Sequence, residues 1–405
     1  MTFNRCILIV GAGIGGLSLA QGLKKAGIPF RVFERDPSPD FRAQGYRLRI
    51  NHYGATALKS TLTDDLWRLF ENTCADTQLG MTGLNAIDGT VTRVVPGAGG
   101  DPSIKQPVDE PLLGPFTADR KTLRDLLLIG LENEVEFGKT FERFEIHGEQ
   151  QVTAFFKDGT QAQGSLLIGA DGIQSRVRRQ HLPQLELVDS TGRCIYGKTP
   201  ITPELTKSFP AEAMRWITAI KDPRPLTLFL EPVRFSSNVE QVSDGRLSSV
   251  PDYVYWVLAA CQSIFNVSDD ELLSMSSREA ADLSLRLTED WDPRIRSLLV
   301  LQSQDKASAL RLMSTAPSMQ NWETLSAITF LGDSIHPMPP AGGSGANTAL
   351  RDSANLLEAI KQGATKAQIE EYENALRAYA GEAIAGSWHG GKSLFNLPSY
   401  EDCKR

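Results

Sequence analysis

Residues 11–16 read GAGIGG, and the flanks of this run leave the chain few ways to fold. Residues 5–10, RCILIV, are a short apolar run of the kind buried on both faces of a parallel sheet. After the glycines, Leu17, Ala20, Leu23 and Lys24 follow at helical spacing, and Gly27 marks the stop. Residues 29–35, PFRVFER, predict a second strand with Glu34 at its end. Strand, glycine turn, helix and strand make a βαβ unit. In it Gly11 permits the tight turn, Gly13 lets backbone approach a pyrophosphate, and Gly16 brings helix and strand close. The helix start offers unpaired N–H groups and about half a positive charge to a phosphate. Glu34 is placed to accept hydrogen bonds from a ribose. A dinucleotide site is therefore expected at Gly11, Ala12, Gly13, Ile14, Gly16, Glu34 and Arg35, with NAD and FAD both open.

Two later stretches bear on that choice. Residues 166–178 read LLIGADGIQSRVR, and residues 328–347 read ITFLGDSIHPMPPAGGSGAN. Each predicts an apolar strand that delivers a carboxylate, Asp171 or Asp333, to the edge where open α/β sheets bind ligands. Residues 342–347 look like an N–H-rich nest at a helix start, which suits an anion such as a reduced flavin. Asp333 is placed to accept from ribityl hydroxyls. Candidate cofactor contacts here are Asp171, Gly172, Asp333, Pro340, Gly343, Gly345, Ala346 and Asn347. Taken singly, each stretch is equally a strand-to-helix turn with a capping aspartate.

In order, GxGxxG…E, DGxxSxxR and GDxxHxxxPxxGxGxN resemble the group A FAD-dependent aromatic monooxygenases, which include para-hydroxybenzoate hydroxylase, kynurenine monooxygenase and tetracycline-inactivating enzymes. Ser175, Arg178 and His336 fill further motif positions, and Arg120 in ADRKTLR matches a family arginine that reaches the cofactor. The resemblance runs from residue 5 to about 360 and is weaker between about 185 and 310. It implies one FAD, NAD(P)H as co-substrate without a separate nicotinamide domain, and a flavin C4a-hydroperoxide that hydroxylates an aromatic or polycyclic small molecule in secondary metabolism or catabolism. Epoxidation, Baeyer–Villiger oxidation or reduction on the same framework stays open, as does a non-catalytic flavin-binding regulator. The W-x-W-x-I-P motif of flavin halogenases is absent, and no side-chain base stands out. One departure is GYRLRI at 45–50, where many members are mostly apolar. Arg47 and Arg49 alternate onto one strand face, toward the flavin, an acidic substrate or solvent.

A second fingerprint, GRCIYGKT at 192–199, fits the phosphate-loop pattern. Its Thr199 precedes Pro200, which pushes it out of the helical region, and no helical pattern follows. Residues 192–202 instead predict a strand with Cys194 and Tyr196 on one face, so neither ATP binding nor a part for Lys198 in cofactor binding is expected. Residues 214–220, 226–231 and 253–260 are β-prone runs between Pro, Gly and Asp clusters, and 77–97 add strands. The fold class expected is α/β: a Rossmann-like FAD-binding domain (1–73, 116–182, 321–365) with an inserted, largely antiparallel β-sheet substrate domain (74–115, 183–320). A C-terminal helix, from Ile369 to about Ala383, and a polar tail complete it at 366–405. The resemblance implies that the second sheet roofs the flavin. Trp216, Phe229 and Trp256 are candidates for its substrate-facing lining, with core packing the competing role.

Charge and composition narrow the partners. A net charge of −7 gives no attraction to nucleic acid. Five cysteines, widely spaced and odd in number, argue against a disulfide framework, and the five scattered histidines suggest no metal site. The apolar run at 6–20 is broken by glycines and no run suits a membrane span, so a cytoplasmic location with a small hydrophobic or aromatic substrate is expected.

Overall fold

Strands of two to four residues, mostly apolar, meet in one buried layer. In the computed structural model, which describes residues 6–41, 46–97 and 112–403, Ile7–Val10 lies at the centre of a five-stranded sheet. The strand order is 328–330, 166–169, 7–10, 30–33 and 135–136, and every pairing is parallel. Arg5 of the expected first strand, Gly45, and residues 98–111 of the expected substrate domain lie outside the described residues. Helices Ile14–Lys25, His52–Thr61 and Gly345–Lys361 pack together beside this sheet. A three-stranded antiparallel sheet, which the sequence reading did not resolve, is formed by 141–148, 151–156 and 161–164.

The second large layer has seven strands in the order 308–314, 188–200, 253–261, 226–233, 217–221, 80–85 and 91–96. All neighbours are antiparallel except 217–221 with 80–85. The residues of the phosphate-loop pattern lie inside its strand Val188–Pro200, where Thr199 pairs with Val254. One face of this sheet, with Ile195, Leu228, Leu230, Trp256 and Leu258, is closed by helices Ser277–Leu287 and Pro293–Val300. A two-stranded ribbon, Arg47–Ile50 with Phe116–Asp119, runs between the two layers.

The last helix, Lys366–Phe395, extends well beyond the Ala383 expected. Gly390 and Gly391 lie inside it and serve close approach: a Cβ there would lie 3.2 Å from the Ala341 Cβ and 2.6 Å from Leu397 respectively. Among the described residues no helix is long and apolar enough to cross a membrane.

Candidate functional site

The carboxyl ends of strands 7–10, 166–169 and 328–330 bring the three glycine and aspartate stretches to one edge. Gly11 has φ +112°, and a Cβ on it would lie 2.2 Å from the Ala170 carbonyl oxygen. A Cβ on Gly16 would lie 2.4 Å from the Gly11 carbonyl oxygen, whereas one on Gly13 would meet no atom within 4 Å. The turn is therefore closed behind Gly11 and Gly16 and open in front of Gly13. Helix Ile14–Lys25 starts there without a side-chain cap, which leaves its first N–H groups for an anion.

Glu34 is buried. Its Oε2 accepts the Ala12 N–H at 2.8 Å and its Oε1 the Asp36 N–H at 3.0 Å. The Ala12 N–H is thus used within the fold, while each carboxylate oxygen keeps a second lone pair. Arg35 is exposed. Arg124, which the motif reading passed over, is buried beside the turn. It donates to the carbonyls of Ala12 at 3.1 Å and Pro39 at 3.0 Å, and its Nη2 is buried with no hydrogen-bond partner. Burial lowers its pKa and the Glu34 charge opposes that. Its spacing from Arg120, one helical turn, was the signal available.

Asp171 largely takes the capping role. Its Oδ2 accepts the N–H groups of Arg176 at 2.7 Å and Val177 at 3.4 Å, and only the buried Oδ1 lacks a partner. Gly172 follows with φ +75° and open space around it. Arg178 joins this turn to the third stretch, donating to Ser334 O at 2.8 Å and Ile173 O at 3.0 Å, and burial brings its pKa down to about 10.

Asp333 is exposed at the carboxyl edge of the sheet, with protein on several sides. Surrounding protein raises its pKa, and the charges of His336 and Arg120 oppose the rise. His336 does not face that edge. It is fully buried, with Nε2 2.6 Å from the Asp352 Oδ2, which also accepts the Gly332 N–H at 2.7 Å. Tyr379 donates to the other Asp352 oxygen at 2.7 Å, so this unforeseen aspartate pins the turn. The Asn347 side chain is used within the fold, which leaves its backbone for the nest. Its Oδ1 accepts the Asn51 N–H at 2.9 Å, and its Nδ2 donates to the carbonyls of Arg49 and Gly343 at 2.8 and 3.0 Å. Pro340 is exposed, Gly343 has φ +61°, and helix Gly345–Lys361 opens uncapped at Ser344 with Ala346 half-buried in its first turn.

The ribbon brings charge to the gap between the layers. Arg120 donates its N–H to Tyr46 O at 2.8 Å, and its guanidinium carbon lies 5.1 Å from the Tyr46 ring centre. Arg47 and Arg49 are not on a solvated face. Both pair with Glu231, a single carboxylate in an apolar strand, and all three are largely buried. Burial, with the neighbouring Arg47 charge, lowers the Arg49 pKa to about 9. Arg47 Nε and Arg49 Nε and Nη1 are buried without hydrogen-bond partners.

Of the aromatic candidates, Phe229 faces the gap, half-buried, with its ring centre 5.4 Å from Phe395. Trp256 is corrected to core: it is fully buried on the opposite sheet face, where a Cβ on Gly197 would touch its ring at 2.3 Å. Trp216 is largely buried. It stacks on Gly80, donates to Thr82 Oγ1 at 2.8 Å, and edges a separate cavity of about 260 Å³ with Arg215 and Arg234. The face toward the ribbon instead carries tyrosines. Tyr196 and Tyr255 lie 5.5 and 6.4 Å from the Tyr46 ring, and burial raises the pKa of both.

Comparison with known proteins agrees with this geometry. Residues 9–73 match the model of an NAD(P)-binding Rossmann-like domain and residues 321–387 that of an FAD binding domain. The chain is 41% identical to the dual O-methyltransferase/FAD-dependent monooxygenase CTB3 of Cercospora beticola, over 99% of this chain and 47% of that protein. It therefore spans about half the length of that relative. With the FAD-dependent monooxygenase thnD of Trichoderma harzianum it shares 24% identity over 93% of this chain and 89% of thnD. The solved structure of a candidate FAD containing monooxygenase from Photorhabdus luminescens subsp. laumondii TTO1 superposes with a TM-score of 0.78 at 29% identity, covering 96% of this chain and 98% of that one. The open face at Gly13, the two uncapped helix starts, the unpartnered Arg124 nitrogen and the carboxylate of Asp333 at the sheet edge together fit FAD.

Proposed function

We propose that this chain, a member of the FAD-dependent aromatic monooxygenase family, hydroxylates an aromatic or polycyclic small molecule with NAD(P)H and O2, in secondary metabolism. The observation that carries this reading is the meeting of three chain-distant stretches at one sheet edge, opposite a tyrosine-lined sheet face. FAD bound at that edge supplies electron transfer from the nicotinamide and activation of O2.

The chain's own residues bind, orient and keep water out. Backbone around Gly11, Gly13, Ile14 and Gly16 takes the pyrophosphate, with Arg120 and Arg124 as counter-charges. Glu34 accepts from the ribose through its remaining lone pairs, and Asp333 from the ribityl chain. Backbone N–H groups at Gly343, Gly345 and Ala346 meet the pyrimidine end of the ring. Tyr196 and Tyr255 stay neutral, since burial raises the pKa of both, and with Tyr46 they present apolar rings and O–H donors to a flat substrate. Arg47 and Arg49 offer their unpartnered N–H groups to an acidic substrate oxygen.

The test is the purified protein with a panel of phenols and naphthols, following NAD(P)H oxidation and product mass under labelled O2. A bound-flavin spectrum with gain of one labelled oxygen atom is expected. Flavin reduction without oxygen insertion across the panel would refute the hydroxylase reading.

A further inference from the structure

We propose that Lys198, Asp119 and Tyr253 form a buried clasp that positions Arg120 against the cofactor cleft. Asp119 ends ribbon strand Phe116–Asp119 and caps helix Arg120–Leu128. One carboxylate oxygen, Oδ1, does the capping, accepting the N–H groups of Lys121 at 3.0 Å and Thr122 at 3.1 Å. The other, Oδ2, is turned toward the seven-stranded sheet. It accepts from Lys198 Nζ at 2.5 Å and from the Tyr253 hydroxyl at 2.8 Å. The Asp119 side chain is 1% exposed and that of Lys198 15%. The ammonium also lies 3.9 Å from the Tyr253 ring centre, so both donors hold each other in place.

Helix capping alone does not require this arrangement, because a capping aspartate needs one oxygen. Nor is it a natural way to hold two layers together. A buried ion pair pays heavily in desolvation, and apolar side chains of similar volume would pack the layers as well or better. What the pair adds is direction. Lys198 and Tyr253 stand on the adjacent strands 188–200 and 253–261, and both converge on a single oxygen. The residue after Asp119 is Arg120, the first of the helix that Asp119 caps. Its N–H is tied to Tyr46 O, and its charge reaches Asp333 and Tyr196. A shift of Asp119 therefore moves Arg120 within the cleft. Burial would raise the Asp119 pKa, but the Lys198 charge and hydrogen bond hold it below the usual carboxylate value, so the clasp stays ionised. On this account Lys198 of the false phosphate loop has a part in cofactor binding after all, through Asp119 and not through a phosphate of its own. The inference rests on the reading of Arg120 as a contact to FAD.

The experiment titrates FAD into the apoprotein of wild type, Lys198→Met, Lys198→Arg and Tyr253→Phe, with melting temperature and the visible circular dichroism of bound flavin as parallel readouts. Lys198→Met is expected to weaken FAD binding roughly tenfold and alter the flavin dichroism, with Lys198→Arg recovering most of both. If Lys198→Met does not fold, Tyr253→Phe carries the test, with a smaller loss of affinity in the same direction. A melting temperature that falls while FAD affinity stays within about twofold of wild type and the dichroism is unchanged would show a clasp that only joins layers, and would overturn the proposal. A wild-type protein that binds no FAD would overturn the functional reading itself and the clasp with it.

Discussion

Gly11 and Gly13 stand two positions apart and answer differently to the same added methyl group. Alanine at Gly11 meets a positive φ and the Ala170 carbonyl, so the turn itself must give. Gly11→Ala should cost about 1–3 kcal/mol from backbone strain alone, with more from the overlap, and FAD binding should fall with stability. Alanine at Gly13 meets no protein atom within 4 Å. Gly13→Ala should leave apoprotein stability within about 0.5 kcal/mol while FAD affinity drops. Denaturant melts of the apoproteins beside flavin titrations separate the two, and equal loss of stability at both sites would contradict the geometry. The two carboxylates divide in the same way. Glu34→Ala orphans two backbone N–H groups and should destabilise the apoprotein, each buried donor costing about 1–3 kcal/mol. Asp333, raised in pKa by its surroundings, should be replaceable by alanine without loss of apoprotein stability, and the loss should appear in FAD affinity alone. At this scale the glycines were legible, because steric need is written at the position itself. Glu231, Asp352 and the Lys198–Asp119 pair were not. Their meaning lies in partners 182, 16 and 79 positions away, which no local pattern reports.

Elements divide along a similar line. The strands of the parallel sheet announce themselves because burial on both faces demands unbroken apolar runs, and Ile7–Val10 and Leu166–Gly169 have them. Strand Ser308–Ser314 and the helices over 269–300 escaped the reading, for SALRLMS mixes polar and apolar residues without clean alternation. Sheet parity was the harder matter. YVYW at 253–256 puts an aromatic on each face, so period two alone did not say whether Tyr255 or Trp256 meets the gap. The ribbon shows why this mattered, since its Arg47 and Arg49 close on Glu231 of the seven-stranded sheet. Glu231→Ala leaves two buried cations without a counter-charge and should destabilise the protein by about 3–5 kcal/mol. Glu231→Asp, a shorter acid, should lose part of that. Chemical denaturation measures both, and a neutral Glu231→Ala would mean the arginines reach solvent or another anion.

The two large sheets of the molecule differ in design, and a cofactor at the proposed site would bridge them. FAD at the proposed site touches the glycine turn, the start of the helix at Arg120, the Asp333 turn and the start of the helix at Gly345, which come from three separate parts of the chain and are joined by bonds such as that from Arg124 to the Ala12 carbonyl. Helices Ser277–Leu287 and Pro293–Val300 pack on the far face of the seven-stranded sheet and touch none of these. Ligand binding to the folded state alone should add about 2.7 kcal/mol at a hundredfold excess of FAD over its dissociation constant. Hydrogen exchange says where that energy acts. Slowing of exchange on adding FAD should concentrate at residues 11–17, 120–124 and 332–348 and leave 277–300 unchanged, because local opening there breaks no contact with the cofactor. Uniform slowing across both sheets would indicate that the molecule opens only as a unit. Slowing confined to 277–300 or to strand 91–96 would place the ligand elsewhere and refute the site. Of the three patterns, the first follows from a proposed site whose parts meet at the carboxyl edge of the parallel layer, so that bound FAD would hold together turns that local opening separates.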